Sequence, residues 1–466
     1  MSATAKKVRV QNRPSADSLA QECLRLIVGG ALEAGGRLTE SWIVARFEVT
    51  HTQAREALHR LEKRGALVLT PRRGATLLSR DLADRDDVRP IWLALLGLAL
   101  QLIRERNAAV VTAAQQRAAK SRWSKHLAVE RAIDAIGKAA GNARLREAMH
   151  RLAVEVAVAH SGDSPIIVDQ LEEVVEAASA SRHAVAARLI TKTWAPGLGG
   201  SHSRDAATIV LERSPLTSVL EVGKHTPQIR DYLQRVSAHL GAVSNGAPPA
   251  ATQLANAIRQ RIQFGEVRPG DAIREQPLAQ AYGVSRGPVR DALRILDRQG
   301  LVRLDGRRGA TVRRFSVQSA LDLSQVRAVV SGVQMAEAAR AARTPAWLAG
   351  ALSEGVELLE KIAAERNAPL SNYIVMRRAL AVATLAAGGN VVVGRLATDL
   401  EAEVTTLWAT VLSKDRQRRS AQTWRSIVDA ILNHDAEAAE AHGRRIVEEA
   451  FVAALSTAEM KALQED

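Results

Sequence analysis

The chain runs to 466 residues, a length that predicts three or four domains, and its 47% hydrophobic and 24% charged residues exclude bulk disorder. Aromatic residues make up only 3%, which favours close-packed helices over sheets, and a single cysteine excludes an intrachain disulfide framework. The formal net charge is +14, no run of 18 apolar residues exists to cross a membrane, and the polar, basic Met1–Pro14 segment lacks the apolar core of a secretory signal, so a cytoplasmic protein with a polyanionic partner is expected.

After the basic tail, residues 1–14, the segment 15–82 reads as a small domain of its own. Leu19, Cys23, Leu26 and Ile27 recur at helical spacing, with Cys23 a small core residue rather than a reactive thiol. A turn at Gly35 leads to a short helix starting near Glu40. Thr50 is a good N-cap for a third helix, which runs to Arg64 and stops at Gly65. Ala54, Leu58 and Leu61 form its core stripe, while His51, Thr52 and Arg55 lie on its polar face. A short hairpin then encloses the turn before Arg72-Arg73-Gly74. The predicted order is helix, helix, turn, helix, wing.

Residues 83–200 are rich in Ala, Leu and Val at helical spacing and predict a helical domain. Residues 201–248 read as a linker, with one helix near Ile229–Leu240 and a clear break at Asn245-Gly-Ala-Pro-Pro. Residues 249–315 form a second winged unit, and 316–466 a second helical domain.

The two winged segments are copies of each other. Gly30 to Thr76 aligns with Gly265 to Thr311 without a gap, at a constant offset of 235. Gly35 matches Gly270, Glu40 matches Glu275, Arg55 matches Arg290, Leu58 matches Leu293, Gly65 matches Gly300, and Arg-Arg-Gly-Ala-Thr ends both. The second copy has Leu254, Ile258 and Ile262 on its first helix and Ser285 as N-cap. Its third helix carries the core stripe Val289, Leu293 and Leu296 and runs to Gln299. A fixed offset with matched glycines signals a duplicated folded unit rather than shared composition. Charge follows the repeat. Residues 1–80 hold 14 basic and 7 acidic residues and residues 249–315 hold 13 and 6, so each is net +7 and together they account for the whole +14.

Such a unit suits DNA. A helix entering the major groove presents its N-terminal residues to base edges. Arg286 and Arg290, at i and i+4, share one face there and can reach guanine or a phosphate oxygen. A wing glycine permits close backbone approach, and the wing arginines can reach phosphate or the minor groove.

These residues resemble a known family. Ile273-Arg-Glu-Gln-Pro-Leu-Ala, Gly283-Val-Ser-Arg-Gly-Pro-Val-Arg-Asp-Ala-Leu, Gly300-Leu-Val and Arg307-Arg-Gly-Ala resemble the winged helix-turn-helix of GntR-type bacterial transcription regulators. Glu48-Val-Thr-His-Thr-Gln-Ala-Arg-Glu-Ala-Leu is a degenerate match to the same motif. The resemblance implies DNA contacts at Ser285, Arg286, Gly287, Arg290, Arg308 and Gly309, and in the first copy at Thr50, His51, Thr52, Arg55, Arg73 and Gly74. An arginine that some members carry in the second helix is Gln276 here and Ser41 in the first copy. The remainder of each half resembles the helical effector domain of the FadR-like branch, through Ala139-Ala-Gly-Asn-Ala-Arg-Leu, Ala387-Gly-Gly-Asn390 and the stretch from Trp424. The fold expected is therefore mostly α, with two winged helix-turn-helix domains, each followed by an all-α helical-bundle effector-like domain.

Many effector domains of that branch hold a metal through one Asp and several His. The corresponding positions here are Val129, Ile133, Glu172 and Trp194, and in the second half Arg377, Ala381, Trp424 and Ile446. None is a histidine, and Ile, Ala and Trp offer a divalent ion no lone pairs, so neither a metal nor another cofactor is expected. Histidines such as His150, His160, His183, His225, His434 and His442 show no paired spacing and read as surface or cap residues. Trp194 and Trp424 read as core packing, or alternatively as the lining of an apolar effector cavity.

No phosphate-binding glycine loop, nucleophile elbow or HExxH motif is present, and no enzyme is expected. The leading expectation is a sequence-specific DNA-binding transcription regulator whose second module dominates specificity, because His51 replaces the arginine found at Arg286. The alternative is a helical protein–protein or metabolite-binding scaffold with weak or lost DNA binding. Expected partners are a duplex operator, a small-molecule effector, and either the other half of the same chain, as an intrachain pseudo-dimer, or a second copy, as a homodimer. No membrane partner is expected.

Overall fold

A computed structural model describes residues 15–33, 35–70, 74–78, 85–106, 122–159, 226–240, 250–263, 266–305, 309–314, 316–341, 344–408 and 413–455. The basic tail, most of the 201–248 linker, and Arg72, Arg73, Arg307 and Arg308 lie outside the described residues, as do Glu172 and Trp194. The first winged module belongs to one compact unit, and the second module, with the helices that follow it, to another.

The first module comprises α1 (Ala16–Val28), β1 (Arg37–Leu38), α2 (Glu40–Phe47), α3 (His51–Lys63), β2 (Leu67–Thr70) and β3 (Gly74–Leu77). Ser15 caps α1 by accepting the Ser18 N–H, and Thr39 caps α2 by accepting the Trp42 N–H. Leu19, Cys23 and Ile27 are buried against Ile43, Ala54, Leu58 and Leu61. Leu24, rather than Leu26, completes the buried face of α1. Burial pushes the Cys23 thiol up to about 12, as expected of a small core residue kept protonated.

The predicted hairpin is present in a larger setting. β3 pairs with β2 in antiparallel register, Thr70 opposite Gly74 and Leu67 opposite Leu77, and also with β1, Leu38 opposite Ala75. The resulting three-stranded sheet has the order β1-β3-β2. A two-residue strand such as β1 carries too little alternation to be read from sequence.

Beyond the wing the first half continues as α4 (Arg85–Glu105), α5 (Arg122–Ala140) and α6 (Ala143–Ala159). Gly141, at φ +59°, ends α5 in the left-handed conformation, which explains the helix-break motif there.

The second winged module repeats the first: α8 (Ala250–Gln263), β4 (Ala272–Ile273), α9 (Glu275–Ala281), α10 (Arg286–Arg298), β5 (Val302–Leu304) and β6 (Ala310–Val312), preceded by α7 (Pro227–His239). Its sheet order is β4-β6-β5. Leu254, Ile258, Ile262, Val289, Leu293 and Leu296 share one core.

The helical domain after it contains α11 (Val317–Arg340), α12 (Ala346–Ala364), α13 (Leu370–Gly388), α14 (Val391–Trp408), α15 (Lys414–Leu432) and α16 (Ala436–Leu455). From Val326 to Ala339 every residue of α11 is buried, as befits a central helix enclosed on all sides by α13, α14, α15 and α16. Gly389, at φ +66°, terminates α13, and Asn390 accepts the Val393 N–H at 2.9 Å to start α14.

The linker helix is more than a connector. The Tyr232 hydroxyl of α7 donates to the Ala351 carbonyl at 2.9 Å, Arg235 makes a two-point pair with Glu354, and His239 stacks on Trp347 at 4.7 Å. Gly355 is required at this contact, since a Cβ there would lie 2.4 Å from the Tyr232 oxygen. α7 is thus a docked helix of the second unit.

Candidate nucleic-acid interface

In both modules α3 and α10 bury one stripe and expose the other. Ala54, Leu58 and Leu61, like Val289, Leu293 and Leu296, face the core, whereas His51, Thr52 and Arg55 are exposed, as are Arg286, Gly287 and Arg290. The exposed set lies on the first two turns of each helix, the part a groove would admit first.

Each module holds its i+4 arginine in the same way. Arg290 donates through Nε to both oxygens of Glu275, at 3.0 and 2.9 Å. Arg55 donates through Nε and Nη2 to Glu40, at 2.8 and 3.1 Å. The hydrogen bond from Arg55 holds the Glu40 carboxyl below its usual range, with His51 adding a smaller pull from 3.7 Å. These arginines remain about half exposed, so they are oriented rather than hidden. A clamped arginine is pre-set in direction, which suits a phosphate or base contact made without further ordering.

The helix starts differ. Thr50 accepts the Gln53 N–H while Gln53 reaches back to the Thr50 N–H, a complete capping box. Ser285 occupies the N-cap position without a side-chain cap hydrogen bond, because Pro288 stands where Gln53 does and has no N–H to offer. The expectation that both residues cap in the same way is therefore corrected. Arg286 donates through Nη2 to Gln276 Oε1. Gln276, standing where some members carry an arginine, thus supports the leading arginine of α10.

The turn between the second and third helices needs a left-handed residue. Gly283 fills it at φ +63° with nothing near its would-be Cβ, whereas the first module puts Glu48 there at φ +54°.

The wing glycine has an internal reason. Gly309 sits at φ +114°, and a Cβ there would lie 2.1 Å from the Ile273 carbonyl oxygen of β4. Its carbonyl accepts the Asp305 N–H at 2.9 Å, closing the wing. Close approach to β4 by itself excludes a side chain at this position. Gly74 opens β3 opposite Thr70. Arg73 and Arg308 lie outside the described residues.

Of the positions aligned with metal ligands, Val129, Ile133, Ala381, Trp424 and Ile446 are described, and all but Ala381 are buried apolar or aromatic side chains; Arg377 is paired with Glu401 at 3.2 Å. Among the described residues no group of three His, Cys, Asp or Glu is placed to hold a metal ion, and no helix is long and apolar enough to cross a membrane.

Residues 15–77 and 250–312 match the family model for bacterial regulatory proteins of the gntR family, and residues 322–449 match that of the FCD domain. The chain is 33% identical over 79 residues to the uncharacterized HTH-type transcriptional regulator YdhC of Bacillus subtilis, a match covering 17% of this chain and 35% of that protein. It is 45% identical over 58 residues to the mannosyl-D-glycerate transport/metabolism system repressor MngR of Escherichia coli K12, covering 12% and 24%. Each alignment thus spans only about a third or less of the relative's length. The solved structure of E. coli McbR/YncC is similar at 16% identity over 47% of this chain and 99% of that one, with a TM-score of 0.39. With two gntR-family domains at the places where the sequence repeats and an FCD domain in its second half, the chain belongs to the GntR-type bacterial regulatory proteins, in the branch that carries an FCD domain.

Proposed function

We propose that the protein is a sequence-specific DNA-binding transcription regulator that reads duplex DNA with two winged modules. The observation that carries this reading is the repeated recognition helix: an exposed polar face on α3 and on α10, each with its arginine clamped by the glutamate fifteen residues earlier. The contacting set is Ser285, Arg286, Gly287, Arg290, Arg308 and Gly309 in the second module, and Thr50, His51, Thr52, Arg55, Arg73 and Gly74 in the first. The second module dominates specificity. Ser285 keeps its hydroxyl free of capping, and Arg286 can make the bidentate guanine contact that His51 cannot, worth about 1–3 kcal/mol of discrimination. The first module adds weaker or different half-site contacts. Joining both in one chain raises the effective concentration of one once the other is bound. The FCD domain takes a small-molecule effector that biases DNA binding.

Selection of bound fragments from random duplex DNA, with the mass of the protein in solution measured alongside, tests the reading. The expected result is an enriched, asymmetric two-part site, with the better defined half lost in Arg286→Ala. Recovery of unenriched fragments would contradict it and favour the scaffold.

A further inference from the structure

The start of α6, a helix of the first half, is held by a side chain of the second half. The N–H of Ala143, the first residue of α6, donates to Oδ2 of Asp322 at 2.9 Å across 179 residues of chain. Asp322 lies in the second turn of α11, and its other oxygen accepts from the Gln318 amide at 2.6 Å. The residue is 5% exposed, so these two donors replace the water its carboxylate would otherwise bind. The first N–H groups of a helix have no partner inside it, and the helix dipole favours a carboxylate there. The matching helix of the second half, α14, is started instead by its own Asn390.

A second observation points the same way. The compact unit that holds the second winged module and its helices also takes in Arg89–Leu98 of α4 and Ala143–Leu145 of α6. In that stretch of α4 the side chains of Ile91, Trp92, Leu95 and Leu96 are each at most 3% exposed. Apolar groups of this size leave water only by packing against others, so first-half residues contribute to the interior of the second unit. The repeat extends to this region. Asp87 of α4 stands 235 residues before Asp322, the offset of the winged modules, and it too is buried. Two like units that pair use one patch twice, and both helices keep the aspartate such a patch would need.

We propose that the second helical domain finds its partner inside its own chain. The face of α11 around Asp322 is taken by the start of α6, and the apolar stretch of α4 packs into the same unit. One polypeptide therefore supplies both members of a pair, the α11 face is closed to a second copy, and the protein is a monomer. The inference concerns the chain without DNA and stands whether or not the DNA-binding reading holds.

Sedimentation equilibrium of the full-length, DNA-free protein tests the mass, and hydrogen exchange resolved at the start of α6 tests the contact. The mass of one chain is expected throughout the micromolar range, with slow exchange at Ala143 that dilution does not alter. Asp322→Ala removes the acceptor and is expected to speed that exchange about tenfold, by the same factor at every concentration. Asp322→Asn keeps an acceptor oxygen and is expected to restore most of the protection. Unchanged protection of Val326–Ala339 in Asp322→Ala would show that the loss is local rather than misfolding, and the mass and dilution measurements on the parent decide without any variant. A mass of two chains, protection of Ala143 that falls on dilution, or exchange that neither substitution alters would overturn the proposal.

Discussion

Arg290 and Glu275 form in the second module the pair that Arg55 and Glu40 form in the first, joining the recognition helix to the helix before it. In both modules the two residues are fifteen apart in sequence and at matched positions of the repeat. Arg290 is half exposed but the Glu275 side chain is buried, so the pair is worth more than a surface ion pair, about 1–3 kcal/mol. Glu275→Gln is therefore expected to lower thermal stability measurably. It frees Arg290 and removes a negative charge beside the proposed DNA face, so affinity for non-specific duplex should rise and the ratio of specific to non-specific binding should fall several-fold. Competition binding against random duplex checks both. In the first module the paired Glu40 carboxyl lies below its usual range. Its small stabilisation is fully present above about pH 5 and fades as the pH falls through the folded-state value, so parent and Glu40→Gln should converge in stability under acid.

The left-handed turn gives a stability prediction independent of DNA. Glu48 adopts a conformation that Gly283 adopts without a side chain in the way. Glu48→Gly should stabilise the first module by up to about 1 kcal/mol, the gain from relieving the backbone being partly offset by glycine's greater unfolded-state freedom. Chemical denaturation of the full chain measures it; a loss of stability would mean that the Glu48 side chain is supporting the turn.

Gly287 separates folding from recognition. It sits within a helix, exposed, and a Cβ there would meet nothing closer than the Ser285 hydroxyl at 3.9 Å. Gly287→Ala should raise stability by about 0.5–1 kcal/mol, since glycine is the poorer helix residue. It should nevertheless weaken DNA binding by raising the floor of the recognition face. Unfolding and DNA titration on the same sample would show the two effects moving in opposite directions.

Most of the repeat was legible in sequence because it is written in strong local signals. Helix caps, matched glycines and the stripes of α3 and α10 each act within a turn or two of chain. What escaped depended on contacts between distant segments. β1 and β4 are two residues long and exist only because β3 and β6 offer them an edge. Gly309 permits close backbone approach, and the carbonyl of Ile273, far earlier in sequence, adds a reason for glycine there that the sequence does not show. The difference between Ser285 and Thr50 as caps is legible in sequence alone, in the proline three residues after Ser285. The support that Gln276 gives is invisible in sequence because its partner, Arg286, lies on the next helix. Arg327 is buried in α11 and gives no periodic signal, since a central helix enclosed on all sides has no polar face on which charges stand out.

The proposed asymmetry between the modules rests on Arg286 and His51. Arg286→Ala should cost more discrimination than His51→Ala, by about tenfold or more if a bidentate guanine contact is lost. Gln276→Ala, which unseats Arg286 without removing it, should fall between the two. Equal losses in the competition assay would make the modules equivalent readers.

Whether two cationic recognition heads on one chain grip duplex DNA is read from the salt dependence of binding to a selected fragment. Log K is expected to fall linearly with log salt, and Arg286→Ala and Arg55→Ala each to reduce the slope by about one where the side chain meets a phosphate, or to leave it unchanged and lower affinity where it meets a base. Binding that is independent of salt, or unaltered by both substitutions, would contradict it.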